Sequence, residues 1–332
     1  MTLLRNWIFK ILYISGIGNF MLNRNRKRGK VPVLVFHKII PEHEEVWPGL
    51  HPHLFEKILI LLKRHYNILP LSHLHTSDGT DLKNACFITF DDGYKDYLEY
   101  AYPILKKHKV HSTLFVLPYD LSNHGHIWTA TILYFVKEYS VAEIKEFFTS
   151  QNQKIDFKNA SSLFILNLTI TKHLCQLSQK ERDPIIKAAL DKFEADNKTM
   201  ERELLCMNEL KKLDSSLVDI ASHSLTHPSF KLETDKKFIE YELKESKKVL
   251  EAELKVSVDA FAFPFAKYNE LSLGIVKENY KMCFTGINDF VDLDKLKNDK
   301  KYLYGLSRFN VHQSTAEEAF FLINGFHKMR KI

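Results

Sequence analysis

Short apolar segments alternate along this chain with longer segments in which apolar residues recur at helical spacing. The apolar segments are rich in β-branched and aromatic residues, which favour strands. They predict strands at 31–36, 86–90, 111–117, 217–221, 261–263, 280–285 and 306–311. The most regular helical patterns between them cover 54–66, 97–107 and 235–253. Repeated strand and helix units of this kind predict an α/β fold with a mostly parallel sheet.

One connection is much longer than the others. About ninety residues separate the predicted strand 111–117 from the next one, where an ordinary strand–helix unit needs roughly thirty. Its helical patterns cover 128–139, 141–148, 179–197 and 201–213. We therefore predict a helical insertion over about residues 120–213 in a barrel that occupies residues 31–332. A barrel is favoured over a nucleotide-binding sheet because no glycine-rich phosphate-binding motif follows a strand.

The first thirty residues differ from the rest of the chain in charge. They hold seven of the 47 Lys and Arg residues and none of the 41 Asp and Glu residues, which leaves the remaining 302 residues with a net charge of −1. A body this close to neutral argues against a nucleic-acid partner, which would need basic residues across a whole face. With 45% hydrophobic and 27% charged residues, the body is typical of a folded globular protein.

Residues 1–30 also have a pattern of their own. Apolar residues recur at helical spacing from Leu4 to Met21, and a basic run follows at 24–28, as is typical of an amphipathic helix lying in a membrane surface. Lys10 interrupts the apolar part, which argues against a secretory signal peptide. By the positive-inside rule we expect a cytoplasmic protein, peripheral at the inner face of the membrane. The alternative is an N-terminal helix packed on the protein's own body.

Carboxylates and imidazoles follow two of the predicted strands. Asp91 and Asp92 come directly after one strand, and His223 and His227 follow another. Because the carboxyl ends of parallel strands meet at one end of the fold, these side chains are expected to lie close together. On an extended segment adjacent carboxylates point opposite ways, and on a helical turn histidines four apart face the same way. One Asp with two His gives three ligands for a divalent metal and leaves positions for water and substrate.

These segments resemble motifs of the polysaccharide deacetylases, the family with a NodB homology domain also classed as carbohydrate esterase family 4. The first two motifs are Thr-Phe-Asp-Asp-Gly at 89–93 and His-Ser-Leu-Thr-His at 223–227. Segments 33–37 and 263–268 resemble two further family segments, so the resemblance covers about residues 31–315. It implies a distorted (β/α)7 barrel and metal-dependent hydrolysis of acetyl groups, usually N-acetyl groups on hexosamines.

The resemblance also implies roles for individual residues. Asp92, His223 and His227 would bind a divalent metal, with zinc as the expected ion. Asp91 would be the general base that takes a proton from the attacking water, while the metal polarises the acetyl carbonyl. Backbone amides near Phe265 would stabilise the oxyanion. The expected substrate is an acetylated glycan or a lipid-linked sugar.

Two positions depart from the family pattern. Ala262 stands where the family usually has Arg, and Ala266 stands where it usually has Gly. Arg308 is our candidate to orient Asp91 in place of the missing guanidinium, with a structural role at a strand end as the alternative. His312, which follows the last predicted strand, is the candidate general acid, with a surface histidine as the alternative.

Other residues have both a functional and a structural interpretation. His37, Tyr94 and Phe265 are expected to bind substrate, although His37 can equally satisfy a backbone carbonyl in the barrel mouth. Trp128 and the aromatic residues after it can form a platform for sugar stacking or belong to the core. The charged run 242–255 is expected to be a solvated helix face.

Two other functions remain open at this point. The same machinery can hydrolyse another amide or an O-acetyl ester, and a catalytically silent glycan-binding protein can keep the barrel. The presence of both aspartates and both histidines favours an enzyme, whereas Ala262 favours the silent protein.

Overall fold

Seven parallel strands close into a barrel in the computed structural model, which describes residues 2–77, 79, 81–118, 127–193 and 202–326. The described residues form the strands β1 (Lys30–Val31), β2 (Val33–Phe36), β3 (Asn67–Ile68), β4 (Ala85–Phe90), β5 (Ser112–Val116), β6 (Val218–Ser222), β7 (Ala260–Ala262), β8 (Met282–Ile287), β9 (Val291–Asp292) and β10 (Leu306–Asn310). The barrel runs in the order β2, β10, β8, β7, β6, β5 and β4, and β4 pairs again with β2 to close it. The predicted (β/α)7 barrel is confirmed.

Helices surround this barrel. They are α1 (Thr2–Ile14), α2 (Ile17–Lys27), α3 (Pro52–His65), α4 (His73–Thr76), α5 (Tyr102–His108), α6 (Trp128–Glu138), α7 (Val141–Ser150), α8 (Leu163–Leu174), α9 (Gln179–Lys192), α10 (Met207–Leu210), α11 (Lys236–Leu254), α12 (Glu270–Asn279), α13 (Leu293–Asn298) and α14 (Ala316–Ile323). Every residue of β2, β4 and β5 is buried, because the strands of a helix-covered parallel barrel have no solvent-facing side. This is why these strands are continuous apolar runs in the sequence.

Local chemistry explains the main differences from the predicted elements. The predicted strand 31–36 is divided at Pro32, which has no N–H to donate, so β1 pairs with β9 outside the barrel while β2 joins it. The predicted helix 97–107 begins with a π-helical segment, Tyr97–Ala101, and continues as α5.

The described residues of the long connection between β5 and β6 are largely helical and have a core of their own. Its buried apolar residues include Ile132, Phe135, Phe147, Leu166, Ile170 and Phe193. Helix α8 was not predicted, because its sequence is apolar on most sides and shows little helical periodicity. Helix α9 ends at Lys192 and α10 is much shorter than the predicted helix 201–213; residues 194–201 lie outside the described residues.

Two helices rather than one form the N-terminal segment, with Gly16 at φ 83° between them. The inner face of α1 packs on the body, where the Phe9 ring lies 5.7 Å from Phe321. The outer face is apolar and exposed, with Trp7 at 62% and Ile11 at 60% exposure. Among the described helices none has both the length and the apolar character needed to cross a bilayer.

Candidate active site

Four barrel strands deliver polar side chains to one end of the barrel. Asp91 and Asp92 follow β4, His223 follows β6, His37 follows β2, and Arg308 lies within β10. All five residues line one cavity of about 270 Å³. The carboxyl ends of parallel strands meet at this face, which is where such barrels place their functional residues.

Asp92, His223 and His227 form a buried cluster of metal-binding groups. The Nε2 atoms of His223 and His227 lie 3.3 and 3.2 Å from Oδ1 of Asp92. One ligand atom from each residue lies within 4.8 Å of the other two. Ligands about 2.0–2.1 Å from a common tetrahedral ion stand about 3.3–3.4 Å apart, so this spacing fits a divalent metal.

The surroundings of the two histidines also fit metal binding. Nδ1 of His223 lies 2.8 Å from the carbonyl oxygen of Ala262. Donation of a proton to that carbonyl leaves the Nε2 lone pair free for a metal. The His227 ring packs edge-to-face against Phe265 at 4.6 Å, and its Nδ1 atom is buried without a partner among the described residues. One carboxylate with two imidazoles suits zinc and other divalent ions.

The backbone around these ligands is left-handed at several positions. Asp92, Ser224 and His227 have φ values of 71°, 72° and 62°, a region that residues other than glycine rarely adopt. Two expectations were therefore wrong: residues 223–227 form a loop and not a helical turn, and Asp92 is not extended. The chain turns sharply at both strand ends, which directs the three side chains toward each other. Such strain is concentrated at functional sites.

Arg308 binds Asp91 through two parallel hydrogen bonds. Nη1 donates to Oδ1 at 2.6 Å and Nη2 donates to Oδ2 at 2.7 Å, and Nη1 also donates to Oγ1 of Thr89 at 3.2 Å. Arg308 thus contacts Asp91 as an arginine at position 262 was expected to do. That Arg308 orients Asp91 for catalysis remains a prediction.

Both aspartates are held in the ionised form. Burial alone would raise the pKa of Asp91, but the guanidinium of Arg308 and the adjacent imidazole of His223 outweigh burial and lower the pKa. Burial opposes ionisation of Asp92 as well, and its close contacts with the imidazoles of His223 and His227 hold its pKa well below the usual range. Two carboxylates can therefore stay charged in a buried site.

The predicted substrate-binding residues His37, Tyr94 and Phe265 all line the cavity, whereas His312 does not. The side chain of His312 is exposed, so the structure does not bring this candidate general acid to the other site residues. Ala266 has a φ of 53°, which explains why glycine suits this position better.

Glu242 supports the histidine loop and was not predicted to do so. Its side chain is 1% exposed, and Oε2 accepts hydrogen bonds from the amides of Leu225 and Thr226 at 2.9 Å each. Oε1 accepts a third from Oγ1 of Thr226 at 2.6 Å. The expectation of a solvated face was wrong for Glu242, because it lies on the side of α11 that also buries Ile239 and Leu243.

Trp128 supports the same loop from the insertion. Its indole Nε1 donates to the carbonyl of His227 at 2.8 Å, and the guanidinium of Arg182 lies 5.0 Å from the ring centroid. The ring is 6% exposed and does not line the cavity, so Trp128 belongs to the core and is not a platform for sugar. Nothing in the local sequence marks this contact, since the two residues are 99 positions apart.

Comparison with known proteins shows the family to which the chain belongs. The model of the family described as polysaccharide deacetylase matches residues 78–281, more than half of the chain. The protein YxkH of Bacillus subtilis (strain 168) is 27% identical over 113 residues. That alignment spans 31% of this chain and only 38% of YxkH.

Solved structures show the same fold over most of the chain. The Streptococcus pyogenes deacetylase PplD in complex with acetate has a TM-score of 0.55 at 18% identity, covering 88% of this chain and 96% of PplD. IcaB from Ammonifex degensii has a TM-score of 0.55 at 13% identity, covering 89% of this chain and 97% of IcaB. A polysaccharide deacetylase from Bacillus cereus has a TM-score of 0.55 at 19% identity, covering 89% of this chain and 69% of that protein. The chain belongs to the polysaccharide deacetylase family.

Proposed function

We propose that the protein is a metal-dependent hydrolase that removes acetyl groups, in the first place N-acetyl groups, from a carbohydrate. The observation that carries this proposal is the cluster of Asp92, His223 and His227 beside the Arg308-bound Asp91 in one cavity. Asp92, His223 and His227 would hold the divalent metal, with zinc as the expected ion. When bound, such an ion polarises the acetyl carbonyl and lowers the pKa of the attacking water.

Asp91 is the general base in this proposal. Its Oδ2 atom lies 4.0 Å from Nε2 of His223, so a water positioned beside the metal ligands is within its reach. Arg308 holds both carboxylate oxygens and fixes the direction in which the base faces. Asp91 takes one proton from this water as the water oxygen adds to the acetyl carbon.

Other cavity residues complete the reaction. The backbone amide of Phe265 is our candidate oxyanion donor, since the neighbouring amide of Ala266 already donates to the carbonyl of Phe263 at 2.9 Å. His37 lines the same cavity as Asp91 and Asp92. We therefore assign to His37, in place of the exposed His312, the proton that the leaving amine takes when the carbon–nitrogen bond breaks and acetate is released.

The experiment that tests this function is acetate release from a panel of N-acetylated and O-acetylated saccharides and lipid-linked sugars by the metal-loaded protein. Release from N-acetylated saccharides is the expected result. Release from O-acetylated saccharides alone would support the esterase alternative. Binding of saccharides without any release would favour a silent glycan-binding protein.

We also propose that the outer face of α1 and α2 contacts the cytoplasmic surface of a membrane. Seven large apolar residues of this face are between 42% and 73% exposed: Leu4, Trp7, Ile8, Ile11, Ile14, Ile17 and Phe20. The exposed cations Lys10, Arg24, Lys27 and Arg28 form no ion pair with any residue in the described ranges. Apolar residues flanked by unpaired cations suit a bilayer that contains anionic lipid.

Vesicle co-sedimentation of the full chain tests this contact. Wild type is expected to pellet with vesicles of phosphatidylcholine and phosphatidylglycerol and to stay largely free with phosphatidylcholine alone. Replacing both Trp7 and Ile11 by Ser should abolish pelleting, whereas Leu232→Ser, which alters another exposed apolar residue outside α1 and α2, should not. Equal pelleting of wild type and the double variant would contradict the proposal.

A further inference from the structure

The cavity that contains the metal-binding cluster has a second wall, formed by the helical insertion. Thr129 and Leu133 of α6 and Asn167 and Thr171 of α8 line it. None of these side chains is charged. The inner end of the cavity therefore holds the reacting groups, and the insertion provides a neutral surface beside them.

On this wall, the side chain of Asn167 has an amide oxygen without a hydrogen-bond partner among the described residues. Its side chain is 5% exposed, and its Oδ1 atom is buried with no hydrogen-bond partner among the described residues. Burying an amide oxygen without a partner is unfavourable, and a ligand that supplies the partner removes that cost. A ligand hydroxyl or N–H that reaches into this cavity can do so.

The position of Asn167 is fixed by its neighbours. Leu166 and Ile170, which flank it on α8, are 1% and 0% exposed in the core of the insertion. Thr171 lies one helical turn further along and faces the same cavity, so the two polar side chains form a pair at i and i+4. By contrast, Thr169 on the same helix is satisfied locally, since its Oγ1 donates to the carbonyl of Ile165 at 2.7 Å.

An apolar surface lies beside this polar pair. Trp47 and Leu133 line the same cavity, and the Trp47 ring contacts His37 and Phe164 at 6.3 and 6.1 Å between centroids. A sugar ring presents an apolar face and a rim of hydroxyls, each of which can both donate and accept. An aromatic residue beside an amide and a hydroxyl matches both features.

We propose that α6 and α8 form a subsite for one neutral sugar ring of the substrate, with Asn167 as its central hydrogen-bonding residue. This inference rests on the proposed function and deepens it. The cavity, at about 270 Å³, is slightly smaller than the roughly 300–1,000 Å³ typical of small-molecule sites, so it suits one sugar unit with its acetyl group. The charged groups that line the cavity, Asp91, Asp92 and Arg308, belong to the catalytic cluster, so the subsite favours an uncharged sugar.

The test compares binding of two probes, N-acetylglucosamine and acetate, to the metal-loaded full chain by calorimetry. Asn167→Leu should weaken binding of N-acetylglucosamine by about tenfold, the usual size for one lost hydrogen bond. Acetate, which reaches only the metal-binding end, should bind Asn167→Leu as it binds wild type. Thr169→Val is the matched control on α8 and should leave both affinities unchanged.

A second variant separates loss of binding from loss of folding. Thr171→Val makes a smaller change and should weaken N-acetylglucosamine by several-fold, with the melting temperature of wild type. On any saccharide that the enzyme hydrolyses, both variants should raise KM while kcat changes less than about threefold, because the lost contacts act on binding and not on the reacting atoms.

Failure of this inference is separable from failure of the proposed function. Equal binding of N-acetylglucosamine by wild type and Asn167→Leu, equal loss in Thr169→Val, or no binding to wild type would overturn the subsite. Sugar binding that depends on Asn167, without acetate release from any saccharide, would leave the subsite in place and refute the deacetylase.

Discussion

The guanidinium of Arg308 on β10 donates hydrogen bonds to both carboxylate oxygens of Asp91, at 2.6 and 2.7 Å, across the intervening strand β2. Both residues are buried, so the pair fixes the carboxylate in one orientation. The positive charge also lowers the pKa of Asp91 against the effect of burial. One residue thus affects both the orientation and the charge of the Asp91 carboxylate.

Loss of this guanidinium should therefore have two effects. In Arg308→Met, kcat should fall by roughly a hundredfold, the size expected when a general base is no longer positioned. Removing a cause that lowers the pKa of Asp91 raises that pKa, so the acidic limb of the pH–rate profile should move to higher pH. A profile of kcat/KM against pH measures this shift, and a limb that stays at the wild-type pH would show that Arg308 has only a structural role.

The two histidines should be needed for the metal. His223→Ala and His227→Ala should each lower the metal content per chain and the rate, because two ligands hold a divalent ion much less tightly than three. Elemental analysis after dialysis measures the content, with His51→Ala as a control outside the cluster. Full zinc occupancy in both variants would place the metal elsewhere.

Glu242 should affect metal binding without touching the metal. Glu242→Gln replaces an acceptor of three hydrogen bonds by a group with one acceptor oxygen, so the loop 223–227 should hold its ligands less firmly. Metal affinity should fall by about 10- to 100-fold, as is usual for residues that orient ligands. A competition titration with a chromogenic chelator measures it. Glu245→Gln on the same helix should change nothing, and equal affinities in all three proteins would refute the assignment.

Asp96 should make stability depend on pH. Burial raises its pKa to about 7, although its Oδ1 accepts a hydrogen bond from the amide of Ile39 at 3.0 Å. The folded state therefore binds this proton more tightly than the unfolded state, so this group's contribution to stability is lost as pH rises from about 4 to about 7. Asp96→Asn keeps an acceptor and cannot ionise.

The melting temperature of Asp96→Asn, relative to wild type, should thus increase between pH 4 and pH 7 and then level off. Thermal unfolding of both proteins across this range measures the difference. A difference that does not change with pH would show that Asp96 keeps an ordinary pKa in the fold.

The sequence predicted those parts of the molecule that a local pattern specifies. Barrel strands are apolar on both faces, and the segments 89–93 and 223–227 are recognisable as motifs, so the fold and the grouping of Asp92, His223 and His227 could be predicted. The contact of Arg308 with Asp91 could be predicted because the resemblance showed that a guanidinium was missing at position 262.

The contacts that sequence reasoning missed depend on three-dimensional packing. Glu242 shares a helical face with Ile239 and Leu243, and that spacing was a usable signal, but its partners lie on another element. Asn167 is a polar residue within an apolar helix whose periodicity is weak. His37 was expected at the site and lines the cavity because the strand before it ends there, whereas the chain after β10 carries His312 to the surface.

Acetate release by wild type and by Asp91→Asn should be compared under single-turnover conditions, with the metal content of both samples measured. The asparagine keeps the shape of the side chain and leaves Asp92, His223 and His227 intact. We expect equal metal content, acetate release by wild type, and release slowed by a factor of roughly a hundred or more in the variant. Equal rates at equal metal content would contradict the assignment of Asp91 as the base of a deacetylase.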